Sequence, residues 1–158
     1  MASDQLEALP AWLGELTGLT ELRVGGWFDR DKTKMRWCPL RELPAEVERL
    51  SGLLGLILHN CRGLSALPVE LGALTRLEKL DVGGCSGLTA LPAGLGAGLW
   101  EINLSSCSGL TALPAGLGAL TRLWSLALGV SRRLQPGVSR THRTAAVAAA
   151  TAGSAKRS

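Results

Sequence analysis

Cys38, Cys61, Cys85 and Cys107 are the residues whose chemistry and spacing first call for an account. The last three are 24 and 22 residues apart, a recurrence that points to one structural position used three times. Neighbouring strands of a sheet lie about 4.8 Å apart, so three thiols in a column would have the density of a metal site. A structural zinc site needs four convergent ligands in a tetrahedron, whereas one residue per repeat, set in a line, diverges. The thiols therefore read as structural, and disulfides are not expected of them. His59 and His142 are lone histidines without a carboxylate beside them in sequence, and neither takes a catalytic role. GLGAG at 94–98 matches part of a nucleotide-binding glycine loop. That motif needs a strand before it, a helix after it and an acid about twenty positions on, but here it follows Leu91-Pro92. No Ser/His/Asp set, Walker loop or paired carboxylates stand in a workable frame. The expectation is a chain that is not an enzyme and holds neither cofactor nor metal.

The elements that carry these residues follow from an internal repeat, the feature to seek before any single motif. Leu-Pro recurs at Leu9-Pro10, Leu43-Pro44, Leu67-Pro68, Leu91-Pro92 and Leu113-Pro114, with prolines 34, 24, 24 and 22 residues apart. CSGLTALPAGLGA occurs unchanged at 85–97 and at 107–119. The third unit runs Leu64-x-x-Leu67-Pro68-x-x-Leu71-Gly72-x-Leu74-x-x-Leu77-x-x-Leu80-x-Val82-x-x-Cys85. Leucines at intervals of three and four give way to a period of two at Leu80-Asp81-Val82, which predicts a helical turn feeding a short strand. One long helix is excluded, because proline recurs inside the pattern and breaks a helix interior.

These units resemble leucine-rich repeats, L-x-x-L-x-L-x-x-[N/C]-x-x-L-x-x-L-P, and the Leu-Pro and LGxL segments are most similar to the intracellular type of plant disease-resistance receptors and Ras-pathway scaffolds. The resemblance covers about residues 6–134. It implies an α/β solenoid, a horseshoe arc with a parallel concave β-sheet and short convex helices or 3₁₀ turns. It also implies that Cys61, Cys85 and Cys107 sit at the turn after each strand and satisfy backbone groups of the next loop. Residues 1–134 form the repeat domain, of about five repeats, with an insertion at 25–39, GGWFDRDKTKMRWCP. Trp27, Phe28 and Trp37 of the insertion are read as a lid on the first repeats, and DRDKTK as a solvated loop tip. The fourth unit is two residues short at GLGAGLWEI, a loss expected to fall on the convex side and to leave the strand intact. A solenoid needs polar ends; ASDQLEALPAWLGEL is a makeshift cap at one of them.

Side chains alternate along a strand, so the residues flanking the inward leucines point out of the sheet. They form three columns: Glu21, Gly55, Lys79, Glu101, Ser125; then Arg23, Ile57, Asp81, Asn103, Ala127; then Gly25, His59, Gly83, Ser105, Gly129. The columns vary where the scaffold does not, which marks them as the recognition surface. Glycine and serine in the third column are read as room for a close approach. Just before the first column lie Thr20, Leu54, Glu78, Trp100 and Trp124. Two tryptophans at one position of adjacent units belong side by side on the sheet rim, as a binding anchor or as rim packing. The expected partner contacts are Glu21, Arg23, Ile57, His59, Lys79, Asp81, Glu101 and Asn103 on the face, and Trp100 and Trp124 at its edge. All are expected to face solvent, so that losing Asp81, Glu101 and Asn103 together should not unfold the chain.

Hydrophobic residues make up 46% of the 158 residues but aromatics only 4%, so leucine and alanine carry the packing. All 13 acidic residues lie at or before Glu101; from Ile102 onward there are seven basic residues and no acid. Residues 135–158, Ala-rich and basic without a leucine, are expected to be a disordered tail. Arg140, Arg143, Lys156 and Arg157 without aromatics give it little hold on nucleic acid or acidic membrane. No apolar run reaches transmembrane length and no signal peptide is visible, so the chain reads as soluble and cytoplasmic. Two readings of function stay open. One is a non-catalytic protein–protein interaction module, binding a partner protein on its concave face in signalling or immune-type recognition. The other is the ligand-recognition part of a larger multidomain receptor or enzyme.

Overall fold

The fold is described from a computed structural model, which covers residues 7–28, 35–95, 98–113, 117 and 120–128. The basic tail, the DRDKTK loop tip, Gly129 and the domain boundary at 134 lie outside the described residues. Five strands form one parallel sheet: β1 (Glu21–Gly25), β4 (Gly55–His59), β5 (Lys79–Asp81), β6 (Glu101–Asn103) and β7 (Ser125–Ala127), in that spatial order. Between the first two, β2 (Trp27–Phe28) and β3 (Met35–Arg36) make an antiparallel hairpin out of the insertion. The result is a solenoid arc, parallel strands on the concave side and short 3₁₀ helices on the other.

Each repeat turns at its Leu-Pro. Pro10, Pro44 and Pro68 hold extended backbone, φ −70°, −69° and −63°, and lack an N–H to continue a ladder. Behind each comes one 3₁₀ helix: η1 (Ala11–Glu15), η2 (Ala45–Arg49) and η3 (Val69–Ala73). The proline carbonyl accepts from the third residue on, as in Val47 N–H to Pro44 O at 3.2 Å. Such a tight turn presents few side chains inward, and Leu13, Val47 and Leu71 are the apolar ones buried. The fourth repeat has no 3₁₀ helix among its described residues, yet β6 keeps full register with β5, Lys79 opposite Glu101 and Asp81 opposite Asn103. The two-residue deletion is thus absorbed outside the sheet, as expected.

Inward side chains stack into rows. Leu56, Leu80 and Ile102 are wholly out of solvent, and so are Leu58 and Val82; each such side chain contributes about 1.5–3 kcal/mol. Their counterparts at the ends, Leu22 and Val24 in β1 and Leu126 and Leu128 around β7, are only partly buried. An end repeat has a neighbour on one side only, and that is why solenoids need caps. At the first end Ala8 bridges Glu42 in parallel and Leu9 packs on the core, so the described part of the N-terminal segment does lie against the next repeat.

Candidate functional site

The cysteines occupy one position in three successive turns, and all four are thiols buried in the core. The residue before each turn cysteine has positive φ: Asn60 at 58°, Gly84 at 79° and Ser106 at 61°. That kink points the thiol back under the sheet. Cys85 donates to the Leu58 carbonyl at 2.9 Å, Cys107 to Val82 at 3.1 Å and Cys61 to Val24 at 3.9 Å. The acceptors belong to the preceding repeat, not to the next loop as the resemblance implied. They are carbonyls at the ends of strands, where a ladder runs out of partners and a small weak donor still fits. Burial, and then the neighbouring Cys85, push the Cys107 thiol up to about 11. The hydrogen bond between Cys61 and Cys85, and then burial, raise Cys61, while that same bond holds Cys85 below the usual thiol range. Among the described residues no three His, Cys, Asp or Glu side chains are grouped to hold a metal ion.

The strand register brings the outward columns together as the alternation predicted. Glu21, Gly55, Lys79, Glu101 and Ser125 are successive neighbours, as are Arg23, Ile57, Asp81, Asn103 and Ala127. Their charges are spent on one another. Arg23 pairs with Glu21 on the same strand, and Lys79 Nζ lies 2.9 Å from Glu101 Oε1 on the next. His59 Nε2 reaches diagonally to Asp81 Oδ2 at 2.6 Å.

Three expectations need correction. Asp81 is only 7% exposed and Ile57 8%, so neither presents a side chain freely to solvent. A flat parallel sheet lets the side chains of neighbouring strands cover one another, and Ile57 sits between Arg23 and Asp81. Asp81 and Asn103 also serve their own turns: Gly83 N–H donates to Asp81 Oδ1 and Ser105 N–H to Asn103 Oδ1, both at 3.0 Å. Glycine in the third column is not spare room, because a Cβ on Gly83 would stand 3.0 Å from the Asn103 amide. Trp37 does not close over the first repeat either. It stays exposed, beneath the guanidinium of Arg62 from the turn after β4.

The rim is a fourth ladder. Leu54 N–H donates to Thr20 O, Glu78 to Leu54 O, Trp100 to Glu78 O and Trp124 to Trp100 O. The tryptophans stand side by side, ring centroids 6.2 Å apart and planes at 70°, 37% and 54% exposed. Glu78 precedes them in the same row, half-buried.

Among solved structures, the leucine-rich repeat domain of the type III effector XopL matches with a TM-score of 0.53 at 21% identity, covering 82% of this chain and 51% of that one. The chain has the leucine-rich repeat fold. A Leptospira interrogans leucine-rich repeat protein also resembles it, at 22% identity over 78% of this chain and 34% of the other, TM-score 0.42. So does the plant peptide hormone receptor RGFR1, solved in complex with RGF2, at 22% identity over 78% and 26%, TM-score 0.38. The chain spans about half the length of the XopL domain. No family model matches the sequence, and no curated protein does. No described helix is long and apolar enough to cross a membrane.

On this leucine-rich repeat scaffold, sequence reasoning passed over Glu78, Arg62 and the exposed Ala127 as site residues. Glu78 was detectable, because it shares the column of the two tryptophans. The Arg62–Trp37 stack was not, because nothing in the spacing of 37 and 62 tells that the insertion ends against the second turn.

Proposed function

We propose that the chain is a non-catalytic protein-interaction module that binds a partner protein across its concave sheet, anchored at the rim by Trp100 and Trp124. The observation that carries this reading is the exposed tryptophan pair beside a sheet whose outward residues differ from strand to strand while the inward ones do not. Buried aromatic anchors dominate the energetics of protein interfaces. A face whose charges are already paired at Glu21–Arg23, His59–Asp81 and Lys79–Glu101 favours a partner that matches a mosaic over one of uniform charge. Signalling or immune-type recognition in the cytoplasm is the setting we assign to it.

The test is capture of partners from lysate by the full chain, compared with an Arg23→Glu/Ala127→Arg variant. Both positions are exposed and neither side chain closes a turn. The variant should keep its circular dichroism and lose the partner; a folded variant that still captures it would move the site off the concave face. Trp100→Ala should weaken a purified complex by about 2 kcal/mol, the size of an interface hot spot. The second reading, recognition within a larger receptor or enzyme, is supported by the coverage of only half the XopL domain.

A further inference from the structure

We propose that Trp100, Trp124 and Glu78 form a recess on the sheet rim that takes a cationic side chain, the ammonium of a lysine or methylated lysine or the guanidinium of an arginine, from a partner polypeptide. The inference rests on the interaction-module reading and names the chemistry one part of that surface recognises.

The three residues sit at equivalent positions of adjacent strands, joined by Trp100 N–H to Glu78 O at 2.9 Å and Trp124 N–H to Trp100 O at 3.0 Å. Their side chains therefore emerge in a row about 4.8 Å apart. The two indoles meet at 70° with centroids 6.2 Å apart, the arrangement of two walls at a corner. An edge covers at most one face of its neighbour, so π surface stays open on a pair that is itself solvent-exposed. Aromatic faces carry negative potential, and cations within about 6 Å of the ring centroid are drawn to them, quaternary ammonium groups in particular.

Glu78 gives the corner its charge. Among the described residues it has no ion-pair partner. Glu101, beside Trp100 in sequence, is held by Lys79 and adds no open charge. An acidic group would meet both the π faces and the carboxylate unfavourably. A neutral apolar one would strip water from Glu78 without returning a contact. A cation satisfies all three groups at once. The same chain already stacks a guanidinium on an indole, Arg62 over Trp37. Arg76 and Arg122, exposed and two residues before Glu78 and Trp124, are the internal competitors, and neither is paired with Glu78 or stacked on the rings in this structure.

The experiment titrates the full chain with short capped peptides that carry lysine, trimethyllysine, arginine or the neutral tert-butyl isostere of trimethyllysine, followed by calorimetry and by indole N–H shifts. The trimethyllysine peptide should bind at least about tenfold more tightly than its isostere. Glu78→Gln should weaken the cationic peptides several-fold and leave the isostere unchanged. Trp100→Leu and Trp124→Leu, which keep apolar bulk and remove the π face, should lose binding with the fold intact by circular dichroism. Arg122→Ala should bind as well as wild type or better. Equal affinity for the charged peptide and its isostere would overturn the proposal. So would indifference to Glu78→Gln, loss of binding in Arg122→Ala, or no cationic binding at millimolar peptide. Failure here, with partner capture still lost in Arg23→Glu/Ala127→Arg, would leave the concave-face reading standing; the opposite pair of results would leave only the rim site.

Discussion

Asp81 is the residue at which sequence pattern and three-dimensional role part most clearly. Its alternation places it outward, yet one carboxylate oxygen accepts from the Gly83 amide and the other meets His59. Asp81→Ala would leave that amide unpaired and a small void, at a cost of about 1–3 kcal/mol, read as a fall in urea midpoint. The Lys79→Ala/Glu101→Ala double variant removes an ion pair still open to water, and should change stability by less than about 1 kcal/mol. An Asp81 variant as stable as that double variant would show that the turn hydrogen bond is replaced by water. Cys107 makes the second residue-scale prediction. Its folded pKa is raised above the ordinary thiol value of 9.0, to about 11, so the unfolded chain ionises first. The stability from the buried neutral thiol is fully present below about pH 9 and is lost as pH rises towards 11. Urea midpoints at pH 8 and 10.5 should show that loss, and Cys107→Ala should show less of it.

At the scale of the element, the unit is a proline-led 3₁₀ turn, a short strand and a left-handed kink. Asn60, Gly84 and Ser106 make the same kink with different residues. Asparagine tolerates that region better than most, and glycine has no Cβ to clash. Gly84 carries a second constraint, because a Cβ there would run into the Asn60 side chain of the preceding kink. Gly84→Ala should therefore destabilise by at least about 1 kcal/mol, measured by denaturant unfolding. Adding Asn60→Ala should recover part of it, since the collision vanishes and only the strained φ remains. No recovery would place the whole effect in the backbone angle.

Over the whole molecule, the core is a row of leucines one residue deep, with each strand's inward side chain packed on those before and after it. Leu80 lies between Leu56 and Ile102 in register, and all three are fully buried. A carboxylate at Leu80 would have no partner there and could not reach water. Leu80→Asp should accordingly unfold the β4 and β6 repeats with its own. Amide hydrogen exchange would show protection collapsing across Leu56–Leu58 and Ile102–Leu104, whereas loss confined to β5 would contradict a shared core.

Much of this architecture was legible in the sequence, because it depends on periods. The Leu-Pro spacing set the repeat, the change from intervals of three and four to two located each strand, and the columns matched the observed register residue for residue from Glu21 to Ala127. The adjacency of Trp100 and Trp124 followed from the same count. A period tells which residues share a row but not how far neighbouring side chains reach. It was therefore the tertiary structure that decided the burial of Ile57 and Asp81, the diagonal contact of His59, the thiol bonds to the preceding repeat and the stacking of Arg62 on Trp37. Each of these is a contact between side chains or turns that only stacking brings within a few ångströms, and their lengths and angles are set by the twist and spacing of strands that sequence order alone does not specify.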